Sequence, residues 1–225
     1  MTSTDHALAA RIAELEASLD GKLPAGARAA FAAEREQLDA AGLPAGIADV
    51  GTPMPDAPLL DVHSDPTTLA EAIGDGAAVV VFYRGAWCPY CNLALRTYEQ
   101  ELLPALRERG VRLVAISPQR PDGSLTVQET NELSYPVLSD PGNRIATELG
   151  ILAPVHDGAH AAQVELGLDV AAGNADGTAT LPMPTVVVVD RGRVAWIDVH
   201  PNYATRTESA DILAAVSATV AATGT

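Results

Sequence analysis

Apolar residues fall along this chain in two rhythms. Residues 77–83, Ala-Ala-Val-Val-Val-Phe-Tyr, form an unbroken apolar run. It is too short to span a bilayer and has the length of a strand buried on both faces. The runs at 111–117 (VRLVAIS), 185–190 (TVVVVD) and 194–199 (VAWIDV) read the same way, the last two joined by a hairpin turn at Arg191-Gly192-Arg193. Shorter strands are expected at 59–63 and 135–138. Between the strands the spacing is helical: Leu93, Leu95, Tyr98 and Leu102, stopped by Gly110; 66–73, begun by Pro66 and capped by Ser64 or Asp65; 124–133; 143–149; and 211–222, with Ile212, Leu213 and Val216 inward. The Ala/Gly/Asp-rich stretch 151–179 offers one candidate helix, at 159–166. Strands alternating with helices predict an α/β fold whose mixed sheet is covered on both faces.

Two further stripes precede this pattern. Leu8, Ile12, Leu15 and Leu19 make one, and Ala27, Ala30, Phe31, Glu34 and Leu38 the other, with breaks at Asp20-Gly21, Pro24 and Gly42-Leu43-Pro44. The chain therefore divides into an N-terminal helical hairpin, 1–43, and an α/β domain, 44–225, joined by a Pro- and Gly-rich linker. The hairpin holds no cysteine and only His6, so it is expected to pack rather than react. Its apolar stripes suit the domain itself or a second subunit, which would make a homodimer.

Composition narrows the class. Of 225 residues, 48% are apolar, too many for a disordered chain, and the net charge is −15. There is no run of Lys or Arg, so neither nucleic acid nor an anionic membrane is an expected partner. The first twenty residues have an acidic Asp5 and no apolar core, unlike a signal peptide, so a cytoplasmic location is expected. His156 and His160 have a metal-compatible spacing but lack a third ligand nearby, and a zinc site at Cys88 and Cys91 would need two more ligands, for which His63 and His200 are distant candidates. No metal or cofactor is expected.

The two cysteines carry the chemistry. After the strand at 77–83 comes a tight connector, Arg84-Gly85-Ala86, and then Trp87-Cys88-Pro89-Tyr90-Cys91. Pro89 suits the first turn of a helix, where its missing N–H costs nothing. Unpaired N–H groups and the positive end of the macrodipole there favour a thiolate, and Arg84 adds a nearby positive charge. The i, i+3 spacing lets the two sulfurs meet, and in a reducing compartment such a pair reads as redox-active rather than as a staple.

These residues resemble a known group. WCPYC after a hydrophobic strand is similar to the redox motif of thioredoxin folds. FYRGAWCPYCNLALRTYE, LVAISPQRPDGSL, YPVLSDPGNRIATELG, LPMPTVVVVD and HPNYATRTESADIL together resemble the CxxC-containing, peroxiredoxin-like branch of the alkyl hydroperoxide reductase/thiol-specific antioxidant family. That resemblance implies a thioredoxin-like fold. It implies a peroxidase that reduces hydrogen or organic hydroperoxides through a Cys88–Cys91 dithiol/disulfide cycle, regenerated by thioredoxin or a similar reductant. Arg84, Trp87, Pro89, Tyr90, Met183, Pro184 and Thr185 would support the thiols or bind substrate. Met-Pro-Thr before a strand resembles the cis-proline loop of these folds, with a cis bond at Pro184 and the Met183 backbone presented to substrate. The pattern departs from the family in places. If Cys91 attacks peroxide, Arg84 and Cys88 stand where the family has proline and Thr or Ser. Phe82 stands where thioredoxins carry a buried aspartate, and the later arginine has no clear match beside Thr185. Tyr203 and Arg206 fit a family block and equally a surface turn. Which thiol attacks stays open, and so do a thiol–disulfide oxidoreductase and a redox-sensing binding module.

Overall fold

The computed structural model describes residues 7–153 and 157–223. The hairpin is helices α1 (Leu8–Asp20) and α2 (Ala25–Ala41), followed by β1 (Pro58–Leu60), β2 (Pro66–Thr68), α3 (Leu69–Ile73) and β3 (Ala78–Phe82). The thiol helix α4 (Pro89–Thr97) passes through a π-helical turn at Tyr98–Leu102 into α5 (Leu103–Glu108). Then come β4 (Arg112–Ser117), α6 (Pro121–Thr130), β5 (Val137–Ser139), α7 (Arg144–Glu148), α8 (Asp157–Glu165), α9 (Val170–Gly173), β6 (Thr185–Asp190), β7 (Arg193–Val199) and α10 (Ser209–Thr223).

The strands form one mixed sheet in the order β2-β1-β5-β4-β3-β6-β7, with β3 central between parallel β4 and antiparallel β6. Because side chains alternate along a strand, β3 feeds two cores. Val79 and Val81, with Tyr83 just beyond, face the layer holding both cysteines, α4, α10 and the hairpin residues Leu8, Ile12 and Leu38. Ala78, Val80 and Phe82 face the layer of Leu69, Ile145 and Met183. Each fully buried valine contributes about 1.5–3 kcal/mol of transfer free energy, so the strand ending at the thiols is anchored from both sides. This is the α/β, thioredoxin-like architecture expected, with the helical elements of the N-terminus packed on it.

Local corrections have local causes. The helix expected at 66–73 begins only at Leu69. Pro66–Thr68 pairs with β1, and Thr68, not Ser64 or Asp65, is the cap, closing a capping box with Glu71. The strand expected at 59–63 ends at Leu60, because the Asp61 carboxylate turns the chain by accepting from the N–H groups of His63 and Asp65. The thiol helix is interrupted because Pro104 has no N–H to return to the preceding turn; the π turn absorbs the mismatch. The Met183–Pro184 bond is trans, since no cis peptide occurs among the described residues. The Met183 N–H donates to the Ile151 carbonyl at 2.7 Å and the Pro184 carbonyl accepts from the His200 N–H at 2.9 Å. Trans is the lower-energy isomer of an X–Pro bond. No helix among the described residues is long and apolar enough to cross a membrane.

Candidate active site

The site is built where β3 runs out. Gly85 makes the first bend, and a Cβ there would lie 2.6 Å from the Trp87 indole nitrogen; only glycine lets the indole fold back across the loop. The Ala86 N–H donates to Gln119 Oε1 at 2.8 Å, and Gln119 Nε2 donates to the Tyr83 hydroxyl at 2.8 Å. Asn92 Nδ2 donates to the Ala86 carbonyl at 2.7 Å. The loop is thus tied to β3, to the end of β4 and to α4. Cys88 then serves as the N-cap of α4 in extended conformation, with Pro89 at the first position and Cys91 one turn in.

The two thiols, both buried and unbonded, are joined by a hydrogen bond and differ in everything else. Cys91 Sγ accepts from Arg206 Nη2 at 3.1 Å and from the Arg84 backbone N–H at 3.5 Å. Burial pushes this thiol up, but the Cys88 hydrogen bond, the Arg206 charge, the Arg84 N–H and the Arg84 charge outweigh it and bring it to about 5. Cys88 is pushed well above the ordinary range: burial does most of it, the hydrogen bond to Cys91 and the Cys91 charge add to it, and Arg84 and Arg206 oppose it only in part. The proton of the pair rests on Cys88 and the negative charge on Cys91. The helix tip is therefore not the more acidic of the two positions. At the N-cap the Cys88 sulfur makes no hydrogen bond to the helix N–H groups, whereas Cys91 receives a guanidinium.

Arg206 is the residue that local sequence reasoning left undecided. It lies 115 residues beyond Cys91, on the loop between β7 and α10. Its Nη1 donates to the Tyr203 and Thr205 carbonyls at 2.5 and 2.6 Å. The loop is braced by Asp198, which takes the Thr207 hydroxyl at 2.8 Å and His200 Nε2 at 3.0 Å, while His200 Nδ1 meets Thr205 at 2.8 Å. The hydrogen bond from His200 holds the Asp198 carboxyl below its ordinary value. His200 is therefore committed to this brace rather than to a metal. His156 lies outside the described residues, and no metal-binding cluster occurs among the described ones.

The remaining expected residues divide between three hollows. Cys91, Thr185, Pro184 and Arg206 line a small space of about 10 Å³, room for about one water. Cys88, Trp87, Pro89 and Tyr90 line a cleft of about 210 Å³. Met183 lines neither; it faces a hollow of about 40 Å³ shared with Glu34, His160 and Arg84. With its N–H donated to Ile151 and its carbonyl accepting from the Thr185 hydroxyl at 2.9 Å, its backbone is not free to present to a substrate. The Arg84 guanidinium is sandwiched, 4.9 Å from the centre of the Trp87 ring and 4.2 Å from that of Tyr203.

The hairpin enters the site directly. Leu19, Leu23 and Phe31 form one wall of the 210 Å³ cleft, and the Tyr90 hydroxyl meets Glu16 Oε1 at 3.3 Å. The N–H groups of Leu8 and Ala9 are capped by the Glu208 carboxylate at 2.9 and 2.8 Å, and Asn202 donates to Asp39. The hairpin is bonded to the loop that carries Arg206. Its residue types hold no redox chemistry, so the sequence contained no signal for this placement.

Comparison with known proteins agrees with this geometry. A sequence model of the AhpC/TSA family matches residues 50–197. The fold is similar to the peroxidoxin BcpB of Mycobacterium tuberculosis, at 21% identity and a TM-score of 0.56, covering 75% of this chain and 96% of that one. It is similar to a peroxiredoxin-like protein of Aquifex aeolicus, at 16% identity and a TM-score of 0.60, covering 76% and 88%. It is also similar to the reduced 2-Cys peroxiredoxin of Plasmodium vivax, at 18% identity and a TM-score of 0.57, covering 79% and 100%. A search of curated proteins returns no match. With most of its length matched and a buried, charge-polarised cysteine pair at the end of the central strand, this chain belongs to the AhpC/TSA family and is a thiol-based peroxidase of thioredoxin-like fold.

Proposed function

We propose that the chain reduces hydroperoxides through a Cys88–Cys91 cycle in which Cys91 attacks and Cys88 resolves. The observation that carries this reading is the Arg206 guanidinium on Cys91 Sγ at 3.1 Å. The thiolate is the nucleophile, and the pair keeps its negative charge on Cys91. Cys91 attacks one peroxide oxygen and breaks the O–O bond. The other oxygen leaves as an alkoxide or hydroxide and takes up a proton, and Cys91 becomes a sulfenic acid. Cys88, already hydrogen-bonded to Cys91, then displaces water from the sulfenic sulfur to form the disulfide. Two electrons from a thiol reductant, thioredoxin or a similar donor, restore the dithiol. The supporting roles of Arg84, Trp87, Pro89, Tyr90, Pro184 and Thr185 belong to this proposal: Arg84 and Thr185 on the Cys91 side, Trp87, Pro89 and Tyr90 around Cys88.

The reading is tested by adding stoichiometric hydrogen peroxide to the reduced protein and weighing it. A loss of two hydrogens, mapped to a Cys88–Cys91 bond, is expected. Ready oxidation by a small disulfide with no oxidation by peroxide would instead assign a thiol–disulfide oxidoreductase.

A further inference from the structure

We propose that the cleft beside Cys88 is the docking site of a small, carboxylate-bearing thiol that reduces the Cys88–Cys91 disulfide by attacking Cys88. This rests on the dithiol cycle above and narrows its electron donor. The first observation is which sulfur faces the cleft. Cys88 lines the 210 Å³ space and Cys91 does not; Cys91 lines the 10 Å³ space behind. A molecule in the cleft therefore meets Cys88 alone. In the reduced protein Cys88 holds the proton of the pair, so it is a poor nucleophile. In the oxidised protein it is an electrophile, and what attacks it is a thiolate.

The second observation is charge. The chain as a whole carries −15, with only 14 Lys and Arg. Arg84 is one of them and lines this cleft, where Arg35 already pairs with Glu16 at 3.9 Å. Arg84 is 8% exposed, and no carboxylate lies within ion-pair distance of it among the described residues. Its guanidinium stacks between two ring faces, so its N–H donors remain to be offered to a carboxylate. Most of the rest of the lining is apolar, from Leu19, Leu23, Phe31, Trp87, Leu166 and Leu168. That combination fits an organic anion rather than bare peroxide.

The third observation is access. Cys88 is 1% exposed at the foot of a cleft walled by the hairpin. A thiol borne on a protein surface would have to displace α1 and α2 to reach it, and a small thiol would not. The chemistry balances. The thiolate attacks Cys88 Sγ, a mixed disulfide forms, and Cys91 leaves as the thiolate that Arg206 already holds. A second thiolate then attacks the ligand sulfur, releasing the symmetrical disulfide and Cys88, which takes up a proton. The lower-pKa sulfur is the leaving group, which is the faster direction of exchange.

The test uses the full chain, oxidised with peroxide or, independently, with diamide. Its reduction is followed with glutathione, which carries two carboxylates, and with glutathione diethyl ester, at equal thiolate concentration. The wild type should reduce faster with glutathione than with the ester by roughly tenfold, the size of one charge-assisted contact. Arg84→Met should collapse that ratio and Arg84→Lys should restore part of it. The ratio cancels any effect of Arg84 on Cys91 as leaving group, so a structural role would leave it unmoved. Leu23→Glu should also lower the ratio. Acid quenching during turnover should place the glutathione adduct on Cys88. An adduct on Cys91, equal rates for the two probes, or thioredoxin outpacing glutathione would overturn the proposal. Failure of peroxide to form the disulfide would overturn the cycle instead, and the diamide-oxidised sample still decides the cleft.

Discussion

The segment that matches the family, residues 50–197, and the flanks on either side of it do different work at one site. The matched segment supplies the sheet, the loop from Tyr83 to Cys91 and both sulfurs. The flanks supply what polarises and encloses them: Arg206 on Cys91, Tyr203 against Arg84, and Leu19, Leu23 and Phe31 over Cys88. The departures inside the matched segment make sense in that light. The position three residues before Cys91, where the family resemblance expects a hydroxyl, holds Cys88. The cation on Cys91 comes from beyond β7 instead of from beside Thr185. A shared scaffold thus presents the nucleophile, and sequence outside it sets the charge and the approach.

The strongest test of this division is mechanical. Leu38 lies on the hairpin and is 4% exposed, within the core that holds both cysteines. Leu38→Ala is expected to cost about 2–5 kcal/mol, read as a lower urea midpoint in a single transition detected equally by far-ultraviolet signal and the fluorescence of Trp87 and Trp196. Two separate transitions would show the hairpin to be an independent appendage and would break the comparison.

Arg206→Ala acts on charge. With the guanidinium gone, the Cys91 value should climb from about 5 towards that of a free thiol. At pH 6 a rise to about 8 leaves roughly one thiolate in a hundred. The second-order rate with hydrogen peroxide should fall about a hundredfold at that pH and recover as pH rises. Arg206→Lys should recover part of the rate at pH 6. In the wild type the rate should be level above pH 6 and decline with a midpoint near 5. The same depression stabilises the fold: a value below that of the unfolded thiol gives stability that is full above the unfolded value, about 8.5, and lost as pH falls through about 5.

The smallest effect concerns the tie between the flanks. Glu208 caps α1 from the loop ahead of α10. Glu208→Gln keeps a hydrogen-bond acceptor but loses the charge at the helix N-terminus, for about 0.3–1 kcal/mol. Amide exchange should quicken at Leu8 and Ala9 before anywhere in the sheet; unchanged protection there would detach α1 from the Arg206 loop.

What was legible in the sequence was local. The Val79–Val81 run, Pro89 after Cys88 and the turn at Arg191-Gly192-Arg193 all announce themselves within a few residues, because strand burial and helix starts are short-range rules. Arg206 and the cleft wall were not legible, since they depend on side chains meeting across more than a hundred positions. Arg206 sits in a segment that resembles a family block and reads equally as a surface turn, so the sequence left its role open. The Pro184 expectation failed for a related reason: the hydrogen bonds on either side of it come from Ile151 and His200, on separate segments. The π turn after α4 could have been read, because Pro104 stands in the middle of the helical pattern.

The central claim is that Cys91, not the helix-tip Cys88, is the attacking thiol. Its most direct test is stopped-flow reaction of the two single serine variants with hydrogen peroxide at pH 6. Cys88→Ser keeps a hydroxyl able to hydrogen-bond Cys91 and should still react, accumulating sulfenic acid for want of a resolving thiol. In Cys91→Ser only Cys88 is left, and because burial still holds its thiol up, the rate should drop steeply. The reverse ranking, with Cys91→Ser fast and Cys88→Ser inert, would contradict the assignment.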